Sequence, residues 1–252
     1  MRKTLLASSL LISFVATPAI AAPLVDLDVG GYAWSANYDG DLGSSNTSVD
    51  DLGLDSSTST TAYVSLEHPV PVIPNLKITS TQLDTKASST LSSDFTIDGK
   101  TFSSNTDVTT QVDLAHTDFT VFYGLPELAV DIDFGLTFRV FDGEVMVTET
   151  NNSSNSKTVD LDFVLPMGYA SARFNLPGTG FFVDGAINGL AIDGNSITDT
   201  TGRVGYSKSL VPAVLDLEVS LGYRKFQLNV EEDDITAEAS ASGPFANLSV
   251  VF

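Results

Sequence analysis

Two histidines and a scatter of carboxylates are the residues best equipped for proton or metal chemistry in this chain. His116 stands between Asp113 and Asp118 in "VDLAHTD", the composition of a general base held by a carboxylate. It shares strand parity with Val112 and Leu114, which aims it at an apolar face unless a bulge turns it inward. Neither a G-x-S-x-G turn nor a zinc-binding spacing accompanies it. His68 precedes Pro69 and reads as part of a turn. The stretch "DGDLGSSNTSVDD" gathers Asp39, Asp41, Asp50 and Asp51, hard oxygen ligands of the kind calcium prefers. It lacks the later glycine and the terminal glutamate of a complete calcium loop.

More numerous are acids and arginines spaced along strand-like segments: Asp131, Asp133, Arg139, Arg173, Arg203, Asp216, Glu218 and Arg224. On the inward faces of a closed sheet they would form a lumenal network of ion pairs and hydrogen bonds. The functional alternative is an ion path in which an acidic ring favours cations. No catalytic residue, metal site or cofactor is assigned.

The elements that would position these groups are strands. Val130, Ile132, Phe134, Leu136, Phe138 and Val140 alternate with Asp131, Asp133, Gly135, Thr137 and Arg139. Leu215, Leu217, Val219, Leu221 and Tyr223 alternate with Asp216, Glu218, Ser220 and Gly222. Val159, Leu161, Phe163, Leu165, Met167 and Tyr169 share a third apolar face. A period of two over nine to eleven residues is the mark of a strand, and is the length of a tilted strand crossing a bilayer. Ten strands are predicted: 25–38, 60–68, 75–84, 107–123, 129–148, 157–176, 179–193, 197–209, 213–231 and 236–252, with eight or twelve as alternatives. Slips of the apolar set near Gly30–Gly31, after Tyr169 and near Lys225 predict β-bulges, as does Pro166. Trp34, Tyr32, Tyr38, Tyr123, Tyr169, Tyr206 and Tyr223 are placed in interfacial girdles.

The connectors alternate in kind. "HPVPVIPN", "GLPEL", "LPGTG" and "SLVPA" are short or carry proline, whereas "DGDLGSSNTSVDDLGLDSS", "DTKASSTLSSDFTIDGKTFSSN", "TNNSSNSK", "DGNS" and "EEDD" are polar. Tight turns on one rim and polar loops on the other is the layout of an all-β, antiparallel, up-and-down transmembrane barrel.

Residues 1–21 read as a signal peptide. Arg2 and Lys3 precede an apolar run, and Ala19 and Ala21 occupy the small positions of a cleavage site. Cleavage is expected after Ala21, with Ala22 as the alternative, and residues 22–252 form the barrel. Losing Arg2 and Lys3 leaves 10 basic and 32 acidic residues, a net charge of −22, which disfavours nucleic acid as a partner. The absence of cysteine suits bacterial export better than a disulfide-stapled module.

"VDLDVGGYAWSANY", with Gly30 and Gly31 in the first strand, and "GPFANLSVVF", with Leu248, Val250 and Phe252 on one apolar face, together carry a resemblance. The chain resembles small outer-membrane β-barrel proteins of Gram-negative bacteria, in particular a family marked by an N-terminal Gly-Gly pair. Asn247 stands where many such barrels have glycine, and Val250 where an aromatic is common. The resemblance implies outer-membrane lipid as surroundings, and a barrel-assembly machinery that reads the last strand. It transfers no activity. The expected role is a structural or narrow-channel barrel rather than an enzyme. An outer-membrane protease or lipid hydrolase, and an exported soluble β-sandwich or adhesin, are the alternatives. Nothing in the sequence sets the oligomeric state.

Overall fold

The computed structural model describes residues 25–252 apart from 44, 46, 126–129, 233 and 234. The expected signal peptide and its cleavage site lie outside the described residues. The strands are β1 (Asp26–Leu42), β2 (Thr47–Ser48), β3 (Ser56–Glu67), β4 (Asn75–Gln82), β5 (Asp84–Thr90), β6 (Phe95–Ile97), β7 (Lys100–Phe102), β8 (Asp107–Asp113) and β9 (His116–Gly124). They continue as β10 (Asp131–Phe141), β11 (Gly143–Glu149), β12 (Asn152–Leu161), β13 (Val164–Asn175), β14 (Phe181–Ile192), β15 (Asn195–Val211), β16 (Leu215–Glu232) and β17 (Ile235–Val251).

Ten of them form a closed antiparallel barrel in the order β1-β3-β4-β9-β10-β13-β14-β15-β16-β17, and β17 returns to β1 from Asp28↔Val251 to Leu42↔Ala237. Phe252 completes that seam: its N–H donates to Leu27 at 2.9 Å, and its carbonyl accepts from Leu27 at 3.2 Å. Both described chain ends and the connectors that hold Pro69, Pro71 and Pro74, Pro177 and Pro212 share one rim, called here the inner rim.

The register sets the barrel's width. From Asn175, successive partners are Phe182, Gly205, Ser220, Asn247, Tyr32, Thr61, Thr81, His116 and Phe141. Phe141 then bonds Phe163, so the walk returns from 175 to 163, a stagger of 12 residues. Ten strands with that stagger tilt by about 40° and enclose a backbone cylinder of about 10 Å radius. Side chains from opposite walls meet across such a lumen.

On the outer side, four pairs of strands run on past the barrel. β4 continues into β5, β9 joins β8, β10 continues into β11, and β13 joins β12; the extensions form a separate sheet in the order β12-β11-β8-β5. The kink is shared. Leu114 N–H donates to Leu83 at 2.8 Å and Asp142 N–H to Ala115 at 3.2 Å, so the strands turn together. The hairpin β6–β7 and the segment around Val49, Leu52 and Leu54 close over this sheet and bury Phe95, Phe102, Val108 and Val147.

Each barrel face changes chemistry with height. Between the inner rim and mid-barrel the outward side chains are apolar: Leu76 and Ile78 on β4, Phe134, Leu136 and Phe138 on β10, Val204 on β15, and Val219, Leu221 and Tyr223 on β16. The inward ones there are Thr61, Asp118, Thr120, Thr137, Arg139, Glu218 and Arg224. Toward the outer end the inward positions become apolar: Trp34 and Ala36, Leu83, Phe141 and Val147, Phe226 and Leu228.

This exchange accounts for the expected bulges, which the structure does not contain. The register is unbroken through Gly30–Gly31, through Pro166 and Tyr169, and through Lys225. Among the described residues, ladder shifts occur at Thr148/Glu149 and Ser209/Val211. The apolar set changes sides because the surroundings change, and the strand keeps its parity. The same rule corrects the aromatic girdle. Tyr123, Tyr206 and Tyr223 are exposed on the outside, whereas Trp34, Tyr32, Tyr38 and Tyr169 face inward.

Gly30 has a packing reason. A Cβ there would lie 2.5 Å from Ser249 Cβ and 2.6 Å from the Tyr63 hydroxyl, so the bare backbone makes room for the Tyr63 ring. Gly30→Val is expected to destabilise the barrel by about 1–3 kcal/mol through overpacking. A urea titration of the refolded protein measures it, and an unchanged midpoint would show that Tyr63 has space to move.

Candidate functional site

The lumen is divided by a layer of paired charges. Arg139 on β10 donates to both oxygens of Asp118 on β9, at 2.7 Å each, and to Asp199 on β15 at 2.7 Å. Arg224 on β16 takes the other side of Asp199, at 2.9 Å from Nε and 2.6 Å from Nη2. Two cations and two anions cancel, and the forked geometry is the strong form of the pair. Arg139 is 0% exposed, and Asp118, Asp199 and Arg224 are buried with it.

Further strands are tied to the same layer. Arg224 Nη1 donates to the Tyr32 hydroxyl at 2.9 Å, and to Thr61 and Thr81 at 3.3 Å. His116 Nδ1 lies 2.8 Å from the Leu114 carbonyl and therefore donates there, which leaves Nε2 to accept from Arg224 at 3.4 Å. Thr120 and Thr137 bond each other at 2.8 Å, and Thr137 donates to Asn188 at 2.6 Å. On the outer side the charges are roofed by rings: the Arg224 guanidinium sits 4.8 Å from the Trp34 ring, and that of Arg139 5.6 Å from Phe226. Residues from eight strands thus meet in one septum.

The eight charged residues expected in a single network are divided among several roles. Arg139 and Arg224 belong to the septum. Arg173 pairs with Glu218 at 2.6 Å, and Arg203 with Asp184 at 2.8 Å, and the Phe182 ring lies 3.8 Å from the Arg173 guanidinium and 5.6 Å from that of Arg203. Asp133 accepts from Ser171 at 2.7 Å, and Asp131 from Asn175 at 3.1 Å. Asp216 stands near the inner rim, opposite Ser209 and Val251. Of the septum's anions, sequence reasoning considered Asp118 only as a carboxylate beside His116 and missed Asp199. Their parity was the available signal: Asp118 shares a face with Thr120 and Phe122, opposite Phe119 and Val121. His116 points inward by the same parity, and no bulge is needed.

Two chambers flank the septum. The inner one, about 210 Å³, is polar; Asp28, Glu67, Asp133 and Lys77 line it beside the ion pairs already described. The outer one, about 270 Å³, is enclosed by β11, β12, β16, β17 and the loops above them, and is almost wholly apolar. The acidic first loop is dispersed. Asp39 and Asp41 lie in β1, and Asp51 accepts from Ser92 at 3.1 Å. Among the described residues no three acidic or histidine side chains converge to hold a metal ion. Of the C-terminal residues, Leu248 is exposed on the outer face, and Val250 and Phe252 are half-buried beside it at the seam.

No protein-family model matches the sequence, and no curated protein matches it. Among solved structures, the chain is similar to a FadL homologue of Pseudomonas aeruginosa at 9% identity, covering 90% of each chain, with a TM-score of 0.31. It is similar to the β domain of the Bordetella autotransporter BrkA at 10% identity, covering 90% of this chain and 98% of that one, with a TM-score of 0.32. The CymD monoaromatic hydrocarbon channel shares 13% identity over 78% of this chain, with a TM-score of 0.30, and this chain spans 51% of its length.

Proposed function

We propose that the protein is an integral outer-membrane β-barrel whose lumen is closed at mid-height by the Arg139–Asp118–Asp199–Arg224 septum. The inverted faces carry this reading. Leu221, Val204, Leu136 and Phe134 are between 51% and 67% exposed on the outside, while Arg139, Arg224 and Asp199 are buried within. A barrel standing in water would gain by the reverse arrangement, since apolar burial drives folding. In hydrocarbon an apolar exterior costs nothing, and closure of the ladder leaves no unpaired backbone edge. The export signal expected at residues 1–21 supports the outer membrane of a Gram-negative cell. Outer-membrane lipid and, during insertion, the barrel-assembly machinery are the partners in this reading.

The role is structural or that of a closed passage rather than enzymatic. His116, the best-placed acid–base group, spends Nδ1 on Leu114 and faces Arg224 with Nε2, and the hydroxyl of its cross-strand partner Thr81 is held by the same arginine. In the inner chamber Asp28, Glu67 and Asp133 outnumber the single Lys77 outside the arginine–carboxylate pairs, so any leak that does pass favours cations.

The test combines fractionation with planar-bilayer recording. The wild-type protein is expected in the outer-membrane fraction, with heat-modifiable migration in detergent gels and no steady open-channel current. Recovery as a soluble periplasmic species would overturn the membrane assignment. A steady ohmic current would overturn the closed septum.

A further inference from the structure

The structure assigns to the outer chamber a binding site for an uncharged, apolar small molecule. Its wall is a continuous patch of hydrocarbon. Val159, Val145 and Val112 are consecutive cross-strand partners on the outer sheet, and Phe226, Leu228 and Ala239 face them from β16 and β17. The polar side chains at its edge are Tyr38, Thr85, Asp98 and Ser240, two of them small uncharged hydroxyls and the other two paired. Tyr38 and Ser57 hydroxyls bond each other at 2.8 Å, and Asp98 is neutralised by Lys157. Among the described residues, no lysine, arginine or histidine lines it. An ionised carboxylate or phosphate would therefore lose its hydration with no counter-charge in return. That argues against a fatty acid or a lipid headgroup and for a neutral molecule.

The volume sets the size. A dry aliphatic cavity of ~150 Å³ takes benzene. At about 270 Å³ this chamber has room for roughly ten to twelve heavy atoms on the same scale. Ligand pockets of this kind are concave and mostly apolar.

A route to it exists through the wall. β13 pairs with β14 only from Gly168↔Gly189 inward, and β12 has β11 as its one strand neighbour. On the far side, the β15–β16 ladder ends at Ser196↔Asn229. Among the described residues, no hydrogen-bonded strand therefore fills the barrel wall above the β14–β15 turn. Leu161 and Phe163 stand on one edge of that break, Leu228 lies one residue inside the other, still paired with Ile197, and all three line the chamber. The break begins at the level of Pro166 and its partner Phe138, the top of the outward apolar band on β10. An apolar solute meets the opening there without crossing the charged septum.

The probe is 1-fluoronaphthalene, followed by ¹⁹F NMR with the full chain refolded in detergent micelles. A saturable protein-bound signal is expected above partition into the micelles. Naphthalene should displace it, and sodium 1-naphthoate should do so at least tenfold less well. Filling the chamber with Ala239→Phe or Val159→Trp should weaken binding at least tenfold, with folding checked by heat-modifiable migration. Absence of a saturable signal in the wild type would overturn the site. Equal displacement by naphthoate would overturn its neutral character, and this arm needs no variant to fold. Unchanged binding in both folded filling variants would move the site elsewhere. Because binding is read in micelles, the result is independent of whether the septum conducts.

Discussion

Asp199→Ala is expected to lower the unfolding free energy by about 3–5 kcal/mol, the penalty for stranding a buried charge. Asp199 accepts from both arginines of the septum and is their shared counter-ion. Without it Arg139 still holds Asp118, but Arg224 keeps only hydroxyls and the imidazole. A guanidinium cannot shed its proton to relieve that, so the cost falls on stability or on water entering the lumen. Arg224→Met in the same chain removes the stranded charge. The double variant should therefore recover most of the loss, a coupling that a merely local packing defect would not show. Trp34, the single tryptophan, lies 4.8 Å from Arg224 and reports directly on hydration of the septum. In bilayers Asp199→Ala should open a leak with less cation preference than the inner chamber alone would impose, because the septum now carries net positive charge. If the two arginine contacts contribute little, Asp199→Ala will unfold at the wild-type urea concentration and remain silent in bilayers.

How much of this was legible in the sequence follows from which surroundings each strand face meets. Over 130–140 and 215–223 the outward face is apolar throughout, and the strands and their faces could be read directly. Where β1 and β16 approach the outer end, Trp34 and Phe226 are also apolar but face inward, and the alternation looks broken although the register runs on. The sequence records apolarity and not direction, so lipid outside and a hydrophobic core inside write the same letters. Val159 and Leu161 show this most plainly: on parity alone they continue a membrane strand, yet they line a chamber above it. The septum was half legible. Arg139 and Arg224 stand out as cations in apolar strands. Asp118 and Asp199 are ordinary in their own segments, and their partners lie 21, 25 and 60 residues away. Only closure of the barrel brings those positions together.

Leu221→Arg should cost about 2–4 kcal/mol in lipid vesicles, although Leu221 is 67% exposed. In a water-soluble protein a substitution at so open a site changes stability by no more than about 0.5 kcal/mol. The difference is the solvent. Leu221 pairs with Val204 on one side and Ala246 on the other, and Val219 and Tyr223 flank it on its own strand. All of these face outward, and the one polar group among them, the Tyr223 hydroxyl, is uncharged and already donates to Ser242 at 3.1 Å, so an arginine there has no counter-charge and must reach past several residues to find a headgroup. Val72→Arg supplies the control. Val72 is 81% exposed, but it sits in the turn between β3 and β4 at the inner rim, where the cost should fall to about 0–1 kcal/mol. Urea titrations of both variants in the same vesicles compare depth alone, because neither side chain is packed against the protein. A penalty at Leu221 several times that at Val72 places the middle of β16 in hydrocarbon. Equal and small penalties at the two positions would mean that the apolar band faces something other than a bilayer.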